Sequence, residues 1–389
     1  MNLFMQINKI PRQVVLLGFV SLFTDMASEM LYPVTPIFLT VVLGSSMAVV
    51  GLIEGFAEFI SGMLKGYAGN LSDKLRKRSI FVVIGYALSA VSKPLPGLFP
   101  SIPVVAAARA TDRIGKGVRT APRDALIASY SEKNTGAIFG FHRGMDTLGA
   151  AIGPLIALLL LNIYSDDYQL IFLIAFIPSI IAVAFTLTIK DNVIVKTKRE
   201  EKKLLQFFKE APKTFKQLII LLTLFALVNS SDVFLILKSQ QITDSASLAI
   251  IGYVFYNLVY AFTSYPIGKF SDRFGKKNIY IIGLIIYSIV YFGFAVSENF
   301  IVTFIMFALY GIYAASTEGI AKAWVSDLIP DEHRGKAIGI LTMTTSLAIM
   351  SGSFLAGLLW DKFGSFVPFL FSSVVSFLIA IRFIFFKED

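Results

Sequence analysis

Two apolar stretches near the start of the chain each carry a pair of carboxylates four residues apart, Asp25 with Glu29 and Glu54 with Glu58. On a helix that spacing puts both members of a pair on one face, and Lys65 falls on the face of the second pair. A carboxyl group beside another in low dielectric takes up and releases a proton near neutral pH, which is what proton coupling needs. The same four groups also suit a divalent cation as oxygen ligands, or a nearby cation as ion-pair partners.

A second constellation is denser. Arg109, Asp112, Arg113, Lys116, Arg119, Arg123 and Asp124 follow one another within a few turns. At the helical angle of about 100° per residue all seven lie within an arc of about 140°. That is either a surface amphipathic helix or a span whose charged stripe faces water or protein. His142, Arg143 and Asp146 sit within about one turn of each other and read as a polar lock between helix ends, or as a pH-sensing histidine with its partners. Chemistry of other kinds is excluded. There is no cysteine, so no thiolate nucleophile or disulfide, and the two histidines, His142 and His333, form no H-E-x-x-H or His-rich cage. An enzyme is therefore not expected, nor a cofactor.

The elements that must hold these residues follow from composition. Of 389 residues 56% are hydrophobic and only 16% charged, with a mean hydropathy of +0.72, which rules out a large water-soluble domain. Reading apolar runs between charged or Gly/Pro breaks predicts twelve membrane-spanning helices, near 13–40, 47–67, 79–99, 102–128, 136–162, 168–189, 217–237, 247–267, 278–296, 300–327, 336–360 and 365–386. Lys9, Pro11 and Arg12 precede the first run, which continues as a full span rather than a cleavable leader. Basic clusters follow the second span (Lys74, Arg76, Lys77, Arg78) and the eighth (Lys269, Arg273, Lys276, Lys277), while the alternate loops carry little beyond Lys93, Lys238 and Lys362. This asymmetry puts both termini in the cytoplasm and accounts for the net charge of +9 without any nucleic acid. The longest polar segment, Lys190 to Lys216, is read as a solvated linker, giving an N-terminal bundle over 1–190, a connector over 191–216 and a C-terminal bundle over 217–389.

The two halves repeat at an offset of 199 residues: Gly69, Asp73, Gly136, Gly140 and Gly153 recur as Gly268, Asp272, Gly335, Gly339 and Gly352. The offset also pairs Arg119 with Glu318, the acidic residue deep in the tenth span, and Arg123 with Lys322. The repeat partner of the charged fourth span is apolar, which favours a true span there. A repeat of this kind points to two pseudo-symmetric six-helix bundles and to alternating access.

The loop Gly268-Lys-Phe-Ser-Asp272-Arg273-Phe-Gly275-Lys276-Lys277 resembles the loop signature of the major facilitator superfamily, and Gly69-Asn-Leu-Ser-Asp73-Lys-Leu-Arg76-Lys77-Arg78 resembles it with Arg76 in the place of its glycine. Pro33-Val34-Thr35-Pro36 and Gly149-Ala-Ala-Ile-Gly153-Pro154 are similar to elements of the twelve-span drug:proton antiporter branch, although Leu155 to Leu158 stand where glycines usually follow. The resemblance implies an all-α membrane protein, a gating role for the loop motif carried by Asp73 and Asp272, and tight helix packing at Gly149, Gly153 and Pro154. Arg76 and Arg273 in the same loops, and Asp124, His142, Arg143 and Asp146, are expected to take part in gating as well. In that fold the first, fourth, seventh and tenth helices line the cavity, so Arg109, Asp112, Arg113, Lys116, Arg119, Asp232 and Glu318 are expected there, with Arg119 facing Glu318. The expected function is proton-coupled secondary transport in the cell (inner) membrane by a monomer, exporting a small organic solute against protons. Uptake or exchange of an anionic solute and divalent metal transport are the alternatives, and a non-transporting receptor stands as the reading from a different class.

Overall fold

The computed structural model describes residues 10–130, 135–164, 167–191, 204–330 and 334–386. Residues 192–203 of the connector lie outside the described residues, as do His333 and the side-chain surroundings of Asp73, Gly136, Gly140 and Gly335.

Among the described residues every regular element is a helix. In chain order these are α1 (Arg12–Leu31), α2 (Val34–Ile37), a π-turn over Phe38–Val42, α3 (Met47–Leu75), α4 (Arg78–Ser92), α5 (Leu95–Leu98), α6 (Ile102–Ser129), α7 (Thr135–Ile163), α8 (Tyr168–Ile174) and α9 (Phe176–Thr186). The chain continues with α10 (Leu204–Glu210), α11 (Lys213–Ala226), α12 (Val233–Thr243), α13 (Ala246–Phe274), α14 (Lys276–Val296), α15 (Phe300–Asp327), α16 (Arg334–Phe363) and α17 (Phe366–Ile384). Pro33 and Pro94 explain the breaks after α1 and α4, since each removes an N–H and constrains the residue before it. Helix starts carry side-chain caps: Asp167 accepts from the Leu170 N–H, Ser245 from Leu248 and Asn299 from Ile301.

Ten helical stretches are long and apolar enough to cross a membrane among the described residues. Two of the twelve expected spans are not in that set, for separate reasons. The charges of α6 lower its hydropathy, and the run expected over 217–237 is interrupted between Ala226 and Val233, leaving α11 and α12 with 14 and 11 residues.

The chain divides into two compact units. Unit 1 comprises Met1–Phe38 and Ile60–Lys198, and unit 2 comprises Leu39–Phe59 and Arg199–Asp389. In unit 1, α7 and α9 pack on α1, and α6 packs on α4. In unit 2, α15 packs on α13 and α14, α17 on α14, and α16 on α11. The unit boundary therefore falls inside α3 as well as in the connector. Its first half is seated on α16 at backbone distance, with Gly51 and Gly55 against Ser353 and Met350, and Gly357 against Met47. Asp361 closes this seam by accepting from the Met47 and Ala48 N–H groups, both at 2.8 Å, so one carboxylate caps the start of α3 with both oxygens.

Two repeat-related positions do equivalent work. A Cβ at Gly153 of α7 would collide with the Met26 carbonyl of α1, and one at Gly352 of α16 with the Leu227 carbonyl that follows α11. Gly149 likewise stands against the Leu22 carbonyl. The two loops compare in the same way. Ser72 and Ser271 each donate to the carbonyl three residues earlier, and the backbone turns left-handed at φ +55° at Arg76 and φ +88° at Gly275. Arg76 thus holds a positive φ where the signature has glycine, while the exits differ: Gly275 has ψ 138° and leads straight into α14, whereas Lys77 stands between Arg76 and α4.

Candidate functional site

In unit 1 the charged residues form two connected groups along α6. The outer group centres on an ion pair between Lys93 and Asp112 at 3.1 Å, with the lysine 4% and the aspartate 9% exposed. Lys93 follows α4 directly and also donates to the Ser89 carbonyl. The expectation that Lys93 and Lys238 are loop charges is corrected here, because both are buried and Lys238 donates to Ser365 at 3.0 Å. Lys238 lies inside α12, which runs to Thr243, beyond the expected end at 237, while Lys93 stands at the break between α4 and α5, within the expected span 79–99. Arg109, Arg113 and Arg119 surround Asp112 electrostatically. Arg119 is 5% exposed, donates to the Ser89 hydroxyl, and lies over the Tyr86 ring at 4.4 Å, while Arg109 lies over Tyr32 at 5.8 Å. A small cavity opens beside them, lined by Ser28, Lys93, Arg109 and Asp112 with Leu31 and Phe172.

The inner group joins α1 to α7. Asp146 accepts from the Ser21 hydroxyl and from Arg143 at 3.2 Å, and its carboxyl stands in hydrogen-bond contact with that of Asp25. Two carboxyl groups this close repel one another when both are ionised, and a shared proton relieves that repulsion. Lys116 and Arg119 act on Asp25, and Arg123 acts on Asp146. Arg123 itself pairs with Asp124 at 2.9 Å. His142 lies one turn before Asp146 on α7, 4% exposed. The close fit of α1 on α7 at Gly149 and Gly153 is what lets Asp25 and Asp146 reach one another.

Sequence spacing paired Asp25 with Glu29, whereas the structure pairs it with Asp146, 121 positions away. Such a contact leaves no trace in local periodicity. Asp146, expected with the gating residues, belongs to this carboxyl pair. Glu54 is buried and Glu58 half-buried, in the part of α3 that belongs to unit 2. Asp272 and Arg273 are exposed, the latter against Phe274.

Unit 2 holds Asp232 and Glu318 against tyrosines that the sequence reading passed over. Asp232 stands at the break before α12 and accepts from the Tyr310 hydroxyl at 2.6 Å and from Tyr256 at 3.4 Å. Glu318 accepts from Tyr260 at 3.0 Å, and Arg119 and Glu318 thus each have a partner within their own unit. Tyr256 and Tyr260 stack at 6.4 Å, Tyr287 and Tyr291 at 4.0 Å, and Tyr310 and Tyr313 meet at 5.1 Å. The signal was present as three pairs at i,i+3 or i,i+4 on α13, α14 and α15, one aromatic face on each. No group of three or more His, Asp or Glu placed to hold a metal ion is found among the described residues.

Three comparisons bear on this arrangement. The sequence profile described as Major Facilitator Superfamily matches residues 17–250 and 220–389. An uncharacterized MFS-type transporter of Methanocaldococcus jannaschii, MJ1317, is 39% identical over 95% of this chain and 93% of its own length. Multidrug resistance protein 2 of Bacillus subtilis is 29% identical over 31% of this chain and 30% of its own. Among solved structures, the nucleoside transporter NupG superposes with a TM-score of 0.81 at 16% identity, covering 97% of this chain and 100% of that one. A D-xylose-proton symporter gives 0.76 at 16%, covering 97% of each. At these identities the structures speak to the fold alone.

Proposed function

The chain belongs to the Major Facilitator Superfamily, transporters rather than enzymes, and from that premise we propose that it is a proton-coupled secondary transporter of a small organic solute working by alternating access. The observation that carries the proposal is the Asp25–Asp146 carboxyl pair, a site for one exchangeable proton between two packed helices of unit 1. Binding or loss of that proton changes the charge of the site by one unit beside Lys116, Arg119 and Arg123, so the proton is linked to how those cations are held.

The reading extends to twelve spans in two six-helix bundles, 1–190 and 217–389, joined by a cytoplasmic connector over 191–216 with both termini on that side of the cell membrane. It further takes the chain as a monomer of the drug:proton antiporter branch, exporting its solute. The local similarity to multidrug resistance protein 2 supports the direction. The excess of cations over carboxylates around α6 favours a second reading, in which the solute is an anion that Arg109, Arg113, Lys116 and Arg119 attract.

The experiment is flux in liposomes that hold a pH dye, with wild type challenged in turn by cationic drugs, organic anions and divalent metals. Proton movement with one solute class, abolished in Asp25→Asn and in Asp146→Asn, is the expected result. Proton-coupled flux that survives both substitutions would place the proton elsewhere.

A further inference from the structure

His142 is enclosed by protein on all but 4% of its surface, yet its Nε2 has no hydrogen-bond partner among the described residues. A buried polar atom in that condition costs stability, about 1–3 kcal/mol for an ordinary group, and asks for an explanation. The charged groups that act on the ring are Arg123 and Asp124 from α6 and Arg143 and Asp146 from its own helix. Asp146 follows it by four residues, which puts both side chains on one face of α7 with the histidine toward the helix start. At the same level Arg143 is 70% exposed, while Asp146, one turn further along the helix, is 15% exposed. An imidazole with an idle nitrogen therefore lies between an exposed helix end and the carboxyl pair.

We propose that His142 is the relay through which protons reach and leave the Asp25–Asp146 pair. The inference rests on the reading of that pair as the proton site. Nε2 takes a proton from a hydronium ion, which leaves as water, and the ring becomes an imidazolium; the imidazolium then gives one proton to the Asp146 carboxylate and returns to the neutral form. One proton enters and one leaves, and the histidine holds no lasting charge beside Arg123. A purely structural histidine would be expected to satisfy both nitrogens, whereas a relay must keep one available.

The test is a laser-triggered pH jump on the full chain in detergent, followed by the infrared carboxyl stretch, which needs no solute. The carboxyl band should respond in wild type and vanish in Asp146→Asn; a wild type without such a band would overturn the carboxyl-pair reading itself. His142→Gln should reach the wild-type end point but about 10²-fold more slowly, the lower range of what a positioned acid–base group contributes. Added imidazole should restore the rate, which a packing role would not allow. Unaltered relaxation in His142→Gln, or slow relaxation that imidazole leaves unchanged, would overturn the relay. Should His142→Gln melt below wild type, His142→Asn is the variant on which the same two outcomes are read.

Discussion

Lys93 and Asp112 form a buried ion pair in unit 1, and their burial fixes what either loss would do. Asp112→Asn strands the Lys93 ammonium group in the protein interior beside Arg109, Arg113 and Arg119 and should cost about 3–5 kcal/mol, whereas Lys93→Met leaves the carboxylate those three arginines and should cost less; the double variant Lys93→Met with Asp112→Asn should lose less than the sum of the two. Thermal melts of the four proteins in one detergent check this, and single losses that simply add in the double variant would show that the pair is not a unit. Arg76 offers a prediction of opposite sign. Its left-handed backbone strains an L-residue, so Arg76→Gly should raise stability by about 0.5–1 kcal/mol, the conformational penalty less the greater chain entropy of glycine, and Gly275→Ala should lower it. Charge and type were legible at this scale in the sequence: Asp25, Arg119 and Asp146 all stood out. Partnership was not, because Asp25 meets Asp146 only after α1 and α7 dock, and Lys93 meets Asp112 only after α4 and α6 do.

At the scale of elements, the sequence yielded most of the long helices and missed the interruptions. Pro33 and Pro94 announce theirs, but the break between α11 and α12 has no proline, only Asn229-Ser230-Ser231, residues whose side chains compete for backbone hydrogen bonds without forbidding a helix. Asp232 takes its position from that break. Because Tyr310 donates to it at 2.6 Å and Tyr256 at 3.4 Å, Tyr310→Phe should lower the melting temperature more than Tyr256→Phe does, with the order reversed if the longer contact were the one that holds the carboxylate. The repeat predicts a matched pair of effects. Gly153→Ala and Gly352→Ala each push a methyl group into a facing carbonyl, and each should cost about 1–3 kcal/mol by separating α7 from α1 and α16 from the end of α11. Chemical denaturation of the two variants would reveal a broken symmetry if only one were destabilised.

For the whole molecule, the internal repeat leads to the expectation of two related bundles, and the chain divides into two compact units. What the repeat does not convey is that α3 serves both: residues 39–59 cluster with unit 2 while the rest of the helix belongs to unit 1. Periodicity is blind to this, since an unbroken apolar helix reads the same whichever neighbours it meets. The glycines at 51, 55 and 357 were the visible sign, and they carried no meaning until the helices facing them were known.

The seating of α3 bears on how the polypeptide can be divided. A gene cut within the connector yields a first fragment that carries residues 39–59 and a second that lacks the strip normally laid against Ser353, Met350 and the Asp361 cap. Made alone, the second fragment presents that strip's vacant backbone seat to lipid and should be degraded; made together with the first, it should be rescued and captured by an affinity tag on its companion. Leucine at positions 51 and 55 of the first fragment should abolish the capture without harming that fragment's own expression. The helix is thus a graft that makes two genetically separable pieces dependent on each other for survival.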